Sequence, residues 1–143
     1  MTVKAILSRK GRDVVTIVPT AQLSEAVKIL AARRIGAVIV TGADNRVAGI
    51  LSERDIVRSI GERGPVALDD NVAAVMTRKV TTCSEADTIA AIMERMTSGK
   101  FRHMPVVEQG RLVGVISIGD VVKFRVEEIE GETNALREYI ATA

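Results

Sequence analysis

The apolar positions of this chain follow two rhythms in succession, and the succession occurs twice. Leu23, Ala26, Val27, Leu30 and Ala31 stand at i, i+3, i+4, i+7 and i+8, the stripe of an amphipathic helix of about three turns. Short β-branched runs follow at Ala37–Val40 and Arg46–Leu51 around Gly42, Asp44 and Asn45, which predicts strand, turn, strand. A second helix begins at Ser52 and carries Ile56, Val57 and Ile60, while Val15–Val18 reads as a short leading strand. The same grammar returns further on. Val80–Cys83 leads, Ile89, Ile92, Met93 and Met96 repeat the helical stripe, and Met104–Val107 and Arg111–Ile116 flank Gln109 and Gly110. A last amphipathic run, with Val121, Val122 and Phe124, starts at Ser117.

The copies align at an offset of 66, with Leu23 on Ile89, Val27 on Met93 and Val40 on Val106. After the hairpin the offset is 65, because "TGADNRVAG" is one residue longer than "VEQGRLVG", and a turn tolerates such a change best. The fold class expected is α/β, two β-α-β-β-α repeats packed as a pseudo-twofold pair. A unit near sixty residues buries too little surface alone, and pairing solves that. The expected divisions are 1–64 for the first repeat with an N-terminal arm, 65–79 for a linker, 80–130 for the second repeat and 131–143 for the tail. Within the linker "NVAAVMTRK" adds a helical turn leading into the second copy, and within the tail "TNALREYIA" forms a last short helix.

Composition narrows the classes. At 143 residues, 47% hydrophobic and 27% charged, the chain needs neither disulfide nor metal to fold. Its aromatics are Phe101, Phe124 and Tyr139, so the core is aliphatic and stacking platforms for single-stranded nucleic acid are absent. A net charge of +2 gives no field for nucleic acid or membrane. The charge is uneven, with Lys4, Arg9, Lys10 and Arg12 at the start and Glu127, Glu128, Glu130, Glu132 and Glu138 at the end; these termini are candidate partner contacts. Cys83 is the sole cysteine, no apolar run approaches the roughly 18 residues of a membrane span, and "MTVKAILSRKGR" lacks a signal-peptide core. A cytoplasmic location is expected. His103 is the sole histidine, which excludes a His/Cys metal cluster, and no phosphate-loop motif is present. Neither a metal nor catalysis is expected.

The repeat also carries a motif, "GILSERD" at Gly49–Asp55 and "GVISIGD" at Gly114–Asp120. Ser-x-x-Asp ahead of an apolar run is a helix capping box, worth about 1 kcal/mol. A cap does not account for glycine inside a strand, at Gly49 and Gly114, or in a first helical turn, at Gly119.

With "RRIGAVIV" and "KFRHMPVV" before the hairpins, the duplicated order and the two motifs in register, the chain resembles the cystathionine-beta-synthase (CBS) domain family in its paired form, the Bateman module. The resemblance spans Val14 to Val126. It implies a regulatory, non-catalytic module that binds an adenine-containing ligand (AMP, ADP, ATP, NAD or NADH, or S-adenosylmethionine) in clefts between the repeats and associates as a homodimer. Glycine in a strand would admit a backbone or a ligand, and the Ile118–Gly119 amides at a helix start suit phosphate. By resemblance Ser117 and Ser52 face phosphate, and Asp120 and Asp55 hold ribose hydroxyls. Around the second copy Lys100, Arg102 and His103 supply cationic or polar edges, with Thr82, Met104 and Pro105 in the adenine slot. Around the first, Arg54 meets phosphate, and Thr16, Gly36 and Ala37 line the slot. The second site is the better equipped for an anion. Two other readings stand beside the sensor: a ligand-free dimerising scaffold, and a regulatory subunit acting on a separately encoded enzyme or transporter.

Overall fold

The structure is a computed structural model that describes residues 1–142. The first repeat comprises β1 (Thr16–Ile17), α2 (Leu23–Arg33), β2 (Ala37–Thr41), β3 (Val47–Ser52) and α3 (Glu53–Arg63), preceded by α1 (Val3–Lys10). A 3-10 turn at Pro65–Asp69 and the single-turn α4 (Val72–Val75) lead to the second repeat. That repeat contains α5 (Ile89–Gly99), β4 (His103–Glu108), β5 (Arg111–Ser117) and α6 (Ile118–Thr142). β1 runs parallel and β3 antiparallel to β2, and β4 pairs antiparallel with β5. The two-repeat α/β architecture read from the periodicity is the one observed.

The repeats correspond in detail. α2 and α5 both end on a left-handed residue, Arg34 (φ 54°) and Lys100 (φ 57°). Glu53 donates its amide to the Gly36 carbonyl at 3.0 Å, as Ile118 does to the Arg102 carbonyl at 2.8 Å. Both hairpins shift register at equivalent places, Val40/Thr41 and Val106/Val107. One expected strand is missing. Val80–Cys83 forms only a bridge from Cys83 to Val106. The cause is Pro105. In the first repeat the Ile39 amide donates to the Val15 carbonyl. Pro105 occupies the position equivalent to Ile39 and has no N–H to give, so the ladder stops.

Each core is closed by a segment that precedes the other repeat. Val3, Ile6 and Leu7 of α1 are buried with Ile89, Ile92, Met104 and Ile116 of the second repeat. Val72 and Met76 are buried with Leu23, Val38 and Leu51 of the first, so the helical turn expected to lead into the second copy belongs to the core of the first. The exchange has a signature in the chain: "VKAILSRK" and "VAAVMTRK" are equivalent at an offset of 69. Matching bridges, Thr2 to Thr88 and Asn71 to Gln22, begin both segments. Burying three aliphatic side chains from α1 contributes roughly 1.5–3 kcal/mol each, which fastens the repeats to one another. Asn45 Nδ2 adds a hydrogen bond to the Leu112 carbonyl, 2.9 Å away in the opposite hairpin.

The exchanged segments explain the strand glycines. A Cβ on Gly49 would stand 2.7 Å from the Thr77 carbonyl oxygen and 2.8 Å from Met76 Sδ. On Gly114 it would stand 2.8 Å from Leu7 Cδ2. The close approach is made by the chain itself. Gly119 has no such need, since a Cβ there meets Ser117 Oγ at an ordinary 3.6 Å.

The short helix expected at the tail is the distal end of α6, which runs unbroken from Ile118 to Thr142; the part of that expectation on Ala143 lies outside the described residues. No helix among the described residues is long and apolar enough to cross a membrane.

Overpacking at both glycines gives a graded test. Gly49→Ala meets a backbone carbonyl and is expected to lose about 1–3 kcal/mol in urea unfolding. Gly114→Ala meets the flexible end of Leu7 and loses less. Leu7→Ala by itself costs about 2–5 kcal/mol, and the double variant is expected to lose less than the sum of the two single losses; strictly additive losses would show that the glycine and α1 are not coupled.

Candidate functional site

Between the repeats lies a cavity of about 470 Å³, within the range of small-molecule sites. The first repeat lines it with Gly36, Ile50 and the start of α3: Ser52, Glu53, Arg54, Asp55 and Arg58. Thr77, Lys79, Val80 and Thr81 come from the segment that crosses between repeats, and Lys100, Phe101, Arg102 and His103 from the turn into β4. Five permanent cations, Arg54, Arg58, Lys79, Lys100 and Arg102, face two carboxylates, Glu53 and Asp55, so the lining is cationic. Ile50, Val80 and Phe101 supply an apolar wall. The Phe101 ring lies across Gly99, where a Cβ would stand 2.2 Å from it, so its position depends on that glycine.

Asp55 is the most constrained group. Its side chain is 5% exposed. Oδ2 accepts from the Ser52 amide at 3.0 Å and from Ser52 Oγ at 3.1 Å, while the Asp55 amide donates to Ser52 Oγ at 3.2 Å, completing a capping box. Oδ1 accepts from Arg58 at 2.9 Å, and Thr77 Oγ1 lies 3.2 and 3.3 Å from the two oxygens. Thr77 also exchanges two 2.9 Å backbone hydrogen bonds with Ile50. The capping reading and the site reading of Ser-x-x-Asp thus coincide in one carboxylate.

The second motif is used differently. Ser117 and Asp120 form the same box, at 2.9 and 3.1 Å, but Asp120 Oδ2 also accepts from Lys10 Nζ at 2.6 Å. Lys10 donates to the Val115 carbonyl as well, at 2.9 Å. Burial pushes the Asp120 carboxyl up, but Lys10 and the Ser117 amide outweigh it and hold the group below its ordinary value. Lys79, the equivalent of Lys10, makes no such pair and lines the cavity. His103 stands between the two motifs. Burial, then Lys10 and Arg102, lower its pKa below 6.5 against the opposing pull of Asp120 and Glu53, so it is neutral at pH 7.

Of the residues singled out in the sequence, Gly36, Ser52, Arg54, Asp55, Lys100, Arg102 and His103 meet in one cavity. The basic cluster expected around the second motif therefore lines the cavity beside the first. Ser117, Ile118, Gly119 and Asp120 do not line this cavity. Met104 is wholly in the core and Pro105 is buried with its carbonyl bonded to the Cys83 amide, and neither lines this cavity. Ala37 and Thr82 lie outside the lining, and Thr16 lines a separate depression with Lys28 and Arg33. Thr77, Lys79, Arg58 and Lys10 were not foreseen; the echo of "LSRK" in "MTRK" was the available signal. Cys83 is buried and its thiol pushed up to about 12, first by burial, so it is an inert apolar residue.

Because the folded pKa of His103 lies below its unfolded value, the unfolded chain takes up this proton first. Its effect on stability is absent above pH 6.5 and turns unfavourable as pH falls below that value. The melting temperature is expected to drop as pH is lowered from 7 to 5.5, with a shallower drop in His103→Gln. A rise on acidification would show that the fold favours charged His103.

Comparison with known proteins agrees with this architecture. The CBS domain family profile matches residues 3–62 and 72–127, and so assigns α1 and α4 to the starts of the repeats. The chain is 34% identical over 120 residues to the mitochondrial CBS domain-containing protein CBSX3 of Arabidopsis thaliana, covering 81% of this chain and 58% of that protein. Among solved structures, a CBS-domain protein of Agrobacterium tumefaciens is 50% identical, with a TM-score of 0.84 over 87% of this chain and 99% of that one. A CBS domain protein of Pyrobaculum aerophilum, solved as a complex with AMP, is 31% identical with a TM-score of 0.75, over 84% and 89% of the two chains. Two profile matches that together cover most of the sequence place this chain in the CBS domain family, as a tandem pair.

Proposed function

We propose that the cavity binds an adenine nucleotide and that the chain is a regulatory sensor. The observation that carries the reading is the composition of one cavity between the repeats: an apolar wall of Ile50, Val80 and Phe101, a cationic lining, and the Asp55 carboxylate between them. A base, a phosphate-bearing end and a vicinal diol are the three chemistries that such a lining matches. The AMP complex of the Pyrobaculum relative supports the ligand class. Phosphate lies against Lys79, Lys100, Arg102 and Arg54. Arg58 is 55% exposed and can turn to solvent, while a ribose hydroxyl donating to Asp55 Oδ1 replaces the hydrogen bond that the buried carboxylate gives up. AMP, ADP, ATP and NAD share the adenosine and the negative charge; S-adenosylmethionine shares only the adenosine and fits a cationic lining least. The half-site of Asp120 is filled by Lys10, so one ligand binds per chain.

Ligand touches both repeats and the segment from Thr77 to Thr81, and it acts as a signal to the extent that it binds one arrangement of these parts more tightly than another. The arrangement is read by a partner chain, such as a separately encoded enzyme or transporter in the cytoplasm.

The chain has one tyrosine and no tryptophan, so bound nucleotide dominates its ultraviolet absorbance. Thermal unfolding with each adenylate is expected to show stabilisation of about 2.7 kcal/mol at one hundred times the dissociation constant. Lys79→Met and Arg102→Met each remove a charge-assisted contact and are expected to weaken binding by roughly tenfold to a hundredfold. Asp120→Asn leaves it unchanged. No stabilisation by any adenylate overturns the reading; tight binding that depends on Asp120 and not on Lys79 moves the site to the other motif.

A further inference from the structure

Among the described residues that line the cavity, His103 alone is of a type that ordinarily changes charge near neutral pH. It opens β4, opposite Ser117 in the hairpin, and is half-buried. Its ring reaches across the pairing of the repeats. The position that a Cβ would take on Gly36 is 3.8 Å from His103 Cε1 and 3.9 Å from Glu53 Oε2. The imidazole edge and the Glu53 carboxylate thus converge on the glycine that precedes β2. The first repeat carries Ala37 at the position equivalent to His103, so the duplicated fold holds one such group.

We infer, on the nucleotide reading of the cavity, that the anionic ligand binds together with a proton taken up by His103, which makes the site tighter in mild acid than at neutrality. The charges around His103 come from every element packed against it. Lys10 of α1 and Arg102 beside it oppose a proton, while Glu53 of α3 and Asp120 of α6 favour one. Lys100 on its own turn, Arg54 of α3 and Lys79 of the crossing segment add positive charge to the same cavity. Asp55 is engaged by Arg58, Ser52 and Thr77. With burial, this balance keeps the ring neutral at pH 7 in the free chain, and no hydrogen bond to the protein holds it in that form.

A phosphate group against Arg102 and Lys100 reverses the balance. It offsets the two cations and places negative charge beside the ring, which favours imidazolium. A ligand that strengthens proton binding at His103 is itself bound more tightly as pH falls from the pKa of the complex to that of the free chain. The gain is about tenfold for each pH unit that this interval spans, and it is complete below the free-chain value.

His103 is the sole histidine, so the proton on its Cε1 reports its titration directly by nuclear magnetic resonance. The midpoint is expected below 6.5 in the free chain and to move upward when AMP or NAD saturates the site. Calorimetric affinities of AMP and NAD at pH 7.5 and 5.5, for wild type and His103→Gln, give a second readout. The phosphate of AMP itself titrates at about pH 6, and the ratio of wild-type to variant affinity cancels that contribution. This ratio is expected to be roughly three- to tenfold larger at pH 5.5 than at 7.5. An unchanged ratio, or a His103 midpoint that is the same with and without bound nucleotide, overturns the inference and leaves the nucleotide reading standing. Failure of both ligands to bind overturns the two together.

Discussion

The constraint on which the structure depends is that neither repeat can close its own core. Each sheet and its helices leave an apolar gap that is filled by the segment preceding the other repeat, α1 for the second and the α4 region for the first. That segment must pass close against a strand, and Gly49 and Gly114 are glycines because a Cβ would collide with it. The pseudo-twofold pair is thus two incomplete halves fastened by exchange. Its rigidity as a unit follows from hydrophobic burial rather than from the ion pairs on its surface, which are worth little individually.

The same exchange shapes the cavity and sets the two motifs apart. The crossing segment ends beside the Ser-x-x-Asp box in both halves, so the residues after it decide what the carboxylate sees. In the first half Thr77 takes Asp55, and Lys79 stays with the cavity. In the second Ser8 turns its hydroxyl to the Lys4 carbonyl, and Lys10 takes Asp120 instead. One substitution in the echo, threonine for serine, accompanies the change from a carboxylate held by the Thr77 hydroxyl and by Arg58 of its own helix to one held by the Lys10 ammonium of the crossing segment. Duplication supplied two equivalent motifs, and small divergence in the crossing segment left one with its cations free.

Much of the fold was legible because periodicity and offset are properties of local sequence. The helical stripe at Leu23–Ala31, its repeat at Ile89–Met96 and the hairpins all formed as their patterns require. What was not legible depended on distance. The role of Gly49 could be narrowed to close approach, but not to the identity of what approaches. Lys100, Arg102 and His103 were grouped with Ser117 and Asp120 because they belong to the same repeat; His103 does pair with Ser117 across the hairpin, but the pairing of repeats also brings all three to the cavity of Ser52 and Asp55. Pro105 was readable in principle, since a proline in a strand removes a donor, but which hydrogen bond it removed became clear only beside Ile39 and Val15.

On the proposed nucleotide-binding reading, Thr77 is the residue through which a ligand would reach the fold. Its hydroxyl is on Asp55, its backbone is paired with Ile50, and the residue before it, Met76, fills the first core. A diol that takes Asp55 competes with Thr77 and Arg58 for the same two oxygens. Arg58 is largely in solvent and yields readily, so the cost of binding concentrates on Thr77, which is tied to the core. Displacing it loosens a backbone pair at the edge of β3; leaving it in place restricts the diol to the geometry that Oδ1 still allows. Either way the free energy of binding includes a term from the crossing segment, and that segment is the connection between the repeats. A ligand in this cavity therefore acts on the exchange that holds the two halves together.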